Sequence, residues 1–430
     1  MDPASGAEAN PSPRPSDPCP RSWDPALRRA VLLCFFSTVL CFLDRVNISV
    51  AAPMILRDMG WDEGRMGVVF SAFFLGYVIF MIPGGVLADR LGGRRALASG
   101  VAFWSMWTVA TPWFTNLWAL SGCRYLVGAG QGLNFPSVSN LIAQRVPLGD
   151  RAKIQGFVLS GATVGLIVGL PLGSWIAALW GWPAIFYAFG GAGALWLALW
   201  LRLTAPGLGR PTPAAAPEQA RIPWRVFLTH RSPVGLAASY FCHNYASYFL
   251  LAWLPTYLMN VHGFSLQGMG LGAALPAAVS AVSMNLSGWS ADRLLRRGRS
   301  RQFSLKLLVA VGMGGSALFL AGLLWVRGPW AALAMIVLAT GSRSLATPAY
   351  WTLSMEMAPR HAGILSSLMN TSGNLAGVVA PALTGALVAR LTAGWDASIA
   401  LAAAVSAAAV AVALPTVEAA DVTETAGSRP

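Results

Sequence analysis

Twelve apolar stretches recur along this chain, over approximately 29–52, 64–87, 96–114, 117–143, 155–179, 182–203, 232–258, 267–290, 304–326, 329–355, 362–389 and 393–416. Each is long enough to cross a bilayer as a helix. No other feature constrains the fold so tightly, because a chain in hydrocarbon must satisfy every backbone N–H and C=O within itself. Composition agrees: the mean hydropathy is +0.57 and only 11% of residues are charged, where a soluble chain carries about a quarter. The short alternating segments of a β-barrel are missing. The sequence therefore predicts an all-α polytopic membrane protein with twelve transmembrane helices.

The stretch "TAPGLGRPTPAAAPEQARIPW" separates the sixth apolar segment from the seventh. Its Pro and Ala content reads as a linker. The predicted organisation is a disordered cytoplasmic tail at 1–28, a six-helix bundle at 29–203, a cytoplasmic linker at 204–231, a second six-helix bundle at 232–416 and a tail at 417–430. The halves repeat: "GVLADRL" (85–91) returns as "GWSADRL" (288–294), and "PSVSNLIAQRVP" (136–147) as "PAYWTLSMEMAP" (348–359). Two parallel halves predict a binding site near the midplane, where they meet and rock against each other. Of the 30 Lys and Arg residues, Arg57, Arg65, Arg327 and Arg390 fall opposite the N-terminal side, and Arg45, Arg124 and Arg343 lie within spans. The rest share the N-terminal side, which predicts both termini in the cytoplasm.

The net charge of +13 is spread over short clusters between spans, so it does not describe a nucleic-acid-binding domain. Cys34, Cys41, Cys123 and Cys242 lie in apolar segments and form no disulfide framework. The sequons at Asn47, Asn285 and Asn370 fall inside predicted helices. No cleavable signal peptide, metal-ligand cluster, nucleotide-binding loop or nucleophile–His–acid set is evident, so neither an enzyme nor an ATP-driven pump is expected, and no cofactor.

The exceptions to apolarity carry the functional reading. "LCFLDRVNISV" (40–50) places Asp44, Arg45 and Asn47 mid-span, and intramembrane ionisable groups mark functional sites by default. A desolvated acid beside a cation is poised to exchange a proton as a substrate anion comes and goes; alternatively, Asp44 and Arg45 form a neutral pair that only locks packing. Arg45 carries a permanent bidentate cation suited to carboxylate or phosphate. With Arg124 and Arg343, three intramembrane arginines face one aspartate, and the excess of two positive charges favours an anion. Arg124 is either a ligand or a helix brace, and Arg343 either an anion ligand or a bridge between halves. His243, in the seventh span, is either a titrating group or a hydrogen-bonded structural one. Gly161, Gly165, Gly169 and Gly173 fall four apart on one helical face and predict close packing. Most tryptophans are expected near span ends as interface anchors.

"GVLADRLGGRR" (85–95) resembles the loop motif of the major facilitator superfamily, and "RYLVGAG" (124–130) its span-four motif. Within that superfamily "LDRVNISVA", "GQGLNFPSVSN", "GWPAIFY", "FCHNYASYFLLAWLPTYL" and "MNTSGNLAGVVAP" resemble the anion:cation symporter family, which includes sugar-acid, sialic acid, glutamate, phosphate and nucleotide carriers. The resemblance implies two pseudo-symmetric six-helix bundles, close helix approach at Gly85, a cap and salt bridge at Asp89, and a gate held by Arg94 and Arg95. It extends gating to Arg90 and to the echo, Asp292 and Arg293. It implies substrate binding at Arg45, Tyr77 and Asn374 and proton coupling at Asp44; Arg124, Gln131 and Arg343 join the expected substrate-binding set, and His243 the proton-coupling set, on their own chemistry, Arg343 being no general family residue. Gln131 departs from the family, where many members carry an ionisable Glu. The implied function is a secondary carrier of a small organic anion, a sugar acid or other carboxylate, by alternating access with proton symport; the alternative is membrane-potential-driven uniport of nucleotide, glutamate or phosphate. The implied partners are the anion, its coupling proton and the lipid of a cell inner membrane, with no nucleic acid, and the protein is expected as a monomer.

Overall fold

A computed structural model describes residues 25–147, 150–205, 208 and 224–418. The expected N-terminal tail up to residue 24, most of the expected linker and the last twelve residues lie outside the described residues. The helices are α1 (Pro25–Met59), α2 (Glu63–Leu91), α3 (Gly93–Ala110), α4 (Leu117–Gln131), α5 (Asn134–Arg145), α6 (Arg151–Trp180) and α7 (Trp182–Leu203). They continue as α8 (Trp224–Thr229), α9 (Arg231–Asn260), α10 (Leu266–Arg296), α11 (Arg301–Leu323), α12 (Pro329–Glu356), α13 (Ala362–Arg390) and α14 (Gly394–Thr416). Among the described residues, nine helices are long and apolar enough to cross a membrane. The others that coincide with apolar segments fall short for local reasons: α3 opens on Arg94 and Arg95, α9 carries polar groups mid-helix, and α4 and α5 are halves of one segment.

That last point refines the expected span at 117–143, whose helix is irregular at its centre. Gly132 and Leu133 turn between α4 and α5, and their N–H groups bond back to Gly128 O (3.0 Å) and Gly130 O (3.2 Å). Elsewhere the helix ends follow their sequence signals. Asp62 Oδ1 accepts from Arg65 N at 2.8 Å to start α2, and Ser265 and Ser300 cap α10 and α11 in the same way. Gly92 holds φ +82 between α2 and α3, a left-handed corner that a side chain would strain.

Helix α1 packs on α6 and α7, α2 on α4, and α3 on α4, α5 and α7; in the second half α9 packs on α13 and α14, α10 on α12, and α11 on α12 and α14. Across the halves α2 meets α13, α6 meets α10, and α1 meets α9. Small residues permit these approaches, the main source of helix association in lipid. A Cβ on Gly128 would lie 2.0 Å from Phe73 O, and one on Gly165 2.6 Å from Val39 O. Gly161, Gly165 and Gly169 all press on α1 as expected, whereas Gly173 has ordinary room. Several tryptophans depart from the interface role: Trp104, Trp200 and Trp253 are fully buried. Trp200 and Trp253 donate to Arg94 O and Pro381 O, tying helices together.

The halves are closed at the end carrying the α1–α2 turn. There a Cβ on Gly67 would lie 2.7 Å from Pro381 O, and one on Gly385 2.3 Å from Glu63 O. Gly270 of α10 packs as tightly on Ser174 and Leu170 of α6. At the α2–α3 end, among the described residues, no hydrogen bond or ion pair joins 85–95 to 288–297.

Candidate functional site

Consecutive residues on a helix point about 100° apart, and this separates Asp44 from Arg45. No ion pair joins them, which overturns the alternative of a neutral Asp44–Arg45 lock. Asp44 turns toward α3 and α4: its Oδ1 accepts from Asn47 Nδ2 at 3.3 Å, and its Oδ2 has no partner among the described residues. Arg124 Nη1 donates to Asn47 Oδ1 at 3.4 Å and Nη2 to the Asp44 carbonyl at 3.3 Å. Asn47 thus bridges the acid to Arg124, and among the described residues the nearest cation linked to the Asp44 side chain is this arginine, 80 residues away, rather than its neighbour.

Arg45 turns toward α2 and the centre of the molecule. Its Nε donates to Gln131 Oε1 at 3.2 Å, and Cys41 Sγ donates to the same oxygen at 3.0 Å. Gln131 Nε2 returns a bond to Cys41 O at 3.2 Å. The guanidinium lies 4.5 Å over the Tyr77 ring and 4.6 Å over Phe42. Tyr77 and Gln131 therefore act on Arg45 directly. Phe73 separates the two N-terminal arginines, with Arg45 5.6 Å and Arg124 5.1 Å from its ring centroid.

The second half contributes Arg343. Its Nη1 donates to His243 Nε2 at 3.0 Å, with Thr347 Oγ1 at 3.2 Å from the same nitrogen. A guanidinium only donates, so the ring proton belongs on Nδ1, which faces Met313 Sδ at 3.2 Å. Tyr240 stacks on the imidazole. Asn374 sits one layer back: its Oδ1 accepts from Tyr248 OH at 2.6 Å and its Nδ2 donates to Asn370 O. It orients the Tyr248 ring, which packs on Phe74 of α2.

These groups surround a cavity of about 300 Å³ bounded by α1, α6, α9, α10 and α12. Arg45, Arg343, His243, Asn244, Tyr240 and Tyr248 supply its chemistry, and no Asp or Glu among the described residues lines it. Arg124, Gln131, Tyr77, Asn374 and Asp44 stand outside the lining. Arg124 instead borders a void of about 10 Å³ shared with Arg45 and Phe73. Tyr240, Tyr248 and Phe73 were not singled out from the sequence. Phe73 lies four residues before Tyr77, one turn away on the same face of α2, and that spacing is its only sequence signal.

A sequence profile described as Major Facilitator Superfamily matches residues 34–381. The chain belongs to the major facilitator superfamily. Its relatives include Probable anion transporter 4, chloroplastic, of Oryza sativa subsp. japonica, 35% identical over 387 residues, 85% of this chain and 64% of that protein. Sodium-dependent phosphate transport protein 1, chloroplastic, of Arabidopsis thaliana is 35% identical over 370 residues, covering 82% and 72%. The Ascorbate transporter, chloroplastic, of the same plant is 34% identical over 382 residues, covering 85% and 70%. The chain thus spans somewhat under two thirds of the rice protein. Among solved folds, a bacterial homolog of the human lysosomal transporter Spinster, inward-facing and occupied, superposes with a TM-score of 0.78 at 20% identity, covering 91% of this chain and 97% of that one. A D-xylose-proton symporter gives 0.73 at 18% identity, covering 91% and 98%.

The superfamily's loop motif takes a different form here from the expected gate. Gly84, and not Gly85, makes the close approach: a Cβ on Gly84 would lie 2.9 Å from Gly132 O, while one on Gly85 meets only Pro136 Cβ at 4.0 Å. Asp89 makes no salt bridge among the described residues; its Oδ1 accepts from Asn140 Nδ2 at 2.9 Å, and Asn140 Oδ1 accepts from Gly93 N at 3.1 Å. Arg94 donates to Thr204 Oγ1, Thr204 O and Leu201 O, closing the C-terminus of α7 within its own half. Arg90, Asp292 and Arg293 are exposed, with Arg293 lying over the Trp289 ring.

Proposed function

We propose that the protein is a secondary carrier of a small organic anion, a sugar acid or other carboxylate, working by alternating access. The observation that carries this reading is the cavity itself, with two permanent cations, Arg45 and Arg343, and no acid among the described residues of its lining. The names of relatives that move phosphate, ascorbate and other anions support the same class. Residues 29–203 and 232–416 act as the two rocking bundles. With both termini cytoplasmic, as the arginine distribution indicates, the sealed α1–α2 end faces outward and the conformation is inward-facing. The membrane is a cell membrane on this reading; the chloroplast names of the relatives lend that no support.

Asp44 carries the coupling proton. Its unpartnered Oδ2 and its link through Asn47 to Arg124 give protonation a consequence, since neutralising the acid weakens its hold on the Asn47 amide that orients Arg124. His243 is the lesser candidate, because its bond from Arg343 uses the lone pair a proton would need. Gln131 favours a second reading, potential-driven uniport, because the position beside Arg45 cannot ionise. Proteoliposome uptake separates the two. Symport gives accumulation from a pH gradient with the potential clamped, and its loss in Asp44→Asn. Uptake that follows membrane potential alone removes the proton from the mechanism and leaves the anion carrier standing; competition by neutral sugars and by no anion removes both.

A further inference from the structure

We infer that the substrate is a dianion, one charge met by Arg45 of the first half and the other by Arg343 of the second. The inference rests on the anion-carrier reading and narrows it.

The structure divides the three intramembrane arginines into two kinds. Arg124 is linked to the Asp44 carboxylate through Asn47 and lies outside the cavity lining, although its Nε, too, has no partner among the described residues. Arg45 and Arg343 line the cavity, are 7% and 9% exposed, and among the described residues have only neutral acceptors, Gln131 Oε1 and His243 Nε2. Each also keeps one buried donor with no partner among those residues, Nη2 on Arg45 and Nε on Arg343. A guanidinium does not deprotonate to relieve its own burial, and an unpaired buried charge is strongly unfavourable. The cavity is therefore lined by two positive charges, supplied from opposite halves.

A monoanion satisfies one of these and leaves the other bare when the halves close and water leaves. A dianion satisfies both. It also bridges α1 and α12, so that loading itself draws the halves together, the differential interaction that any ligand-driven closure requires. Asp44 lies outside the cavity lining, so the charge state of the substrate and the movement of a proton are separate questions. Dicarboxylates and phosphate monoesters both carry the required charge, and Ser247, Ser280 and Thr347 in the lining suit a hydroxylated carbon skeleton.

The test is binding of matched pairs to the purified full-length protein in nanodiscs at neutral pH. The pairs are a six-carbon aldonate and its aldarate, butyrate and succinate, and a methyl phosphodiester of glycerol and glycerol 3-phosphate, with inorganic phosphate and a neutral hexose alongside. In the pairs that bind, the dianion is expected about tenfold or more tighter, and whether carboxylate or phosphate pairs respond identifies the anionic group. Arg343→Gln is expected to shrink the preference to about twofold while the monoanion still binds. Equal affinities within a pair overturn the dianion and leave the anion carrier intact. A full preference that survives Arg343→Gln overturns the assignment to Arg343. Should that variant fail to fold, the wild-type pairs decide alone. Binding of neutral sugars only, or of no member of any pair, overturns the carrier reading with it.

Discussion

Gln131→Glu is the most informative single change, because it alters charge and almost nothing else. The Gln131 amide oxygen already lies 3.2 Å from Arg45 Nε, so a carboxylate there forms a buried ion pair without rebuilding the site. At about 4 Å and an effective dielectric near 20, such a pair is worth roughly 4 kcal/mol. Part of that is offset by the cost of desolvating the new carboxylate. The remainder competes with the substrate for Arg45, and a net loss of about 2 kcal/mol corresponds to a roughly thirtyfold weaker Kd. Protonating the introduced carboxylate removes the competitor, so anion affinity in the variant rises as pH falls, whereas this position makes no such contribution in the wild type. Titration calorimetry with the tightest anion of the panel, from about pH 5 to pH 8, reads both effects. A variant Kd within about twofold of wild type at the alkaline end, where a site charge of this kind should count most, refutes the role assigned to Arg45.

Gly84→Ala is expected to lower thermal stability in detergent by about 1–3 kcal/mol, since its Cβ meets Gly132 O, while Gly85→Ala is near neutral; equal effects refute the assignment of the close approach to Gly84. Arg94→Ala removes three donors from the α7 terminus, so it is expected to reduce the melting temperature along with transport; lost transport with unchanged melting returns Arg94 to a gating role. Asn374→Ala leaves the Tyr248 hydroxyl without its acceptor and is expected to weaken binding about fivefold, near 1 kcal/mol. An unaltered Kd places Tyr248 outside the binding site.

The fold was legible because apolarity has to persist along every span, and a dozen such runs with a repeated "ADRL" at the same place in each half admit few architectures. The irregularity in the fourth segment was not, since "GQGLNFP" is apolar enough to pass as regular helix and only the i→i−3 bond from Leu133 N to Gly130 O reveals it. The site was legible as an inventory. Arg45, Arg343, His243 and Asp44 were each visible as polar groups in apolar surroundings, but the inventory does not say which of them meet. In α1 nearly every residue from Ser37 to Leu56 is buried, so no polar face marks the direction in which a side chain points.

What the sequence alone determined was the number and length of the apolar segments, the duplication, and an excess of two positive charges within them. Tertiary structure decided the pairing. Asp44 and Arg45 are neighbours in the chain, yet helical rotation sends one to Asn47 and, through it, Arg124, and the other to the cavity shared with Arg343. The physical reason is that burial is fixed locally by composition, whereas the partner of a buried charge is fixed by whichever helix packs against that face, and that helix can come from anywhere in the chain.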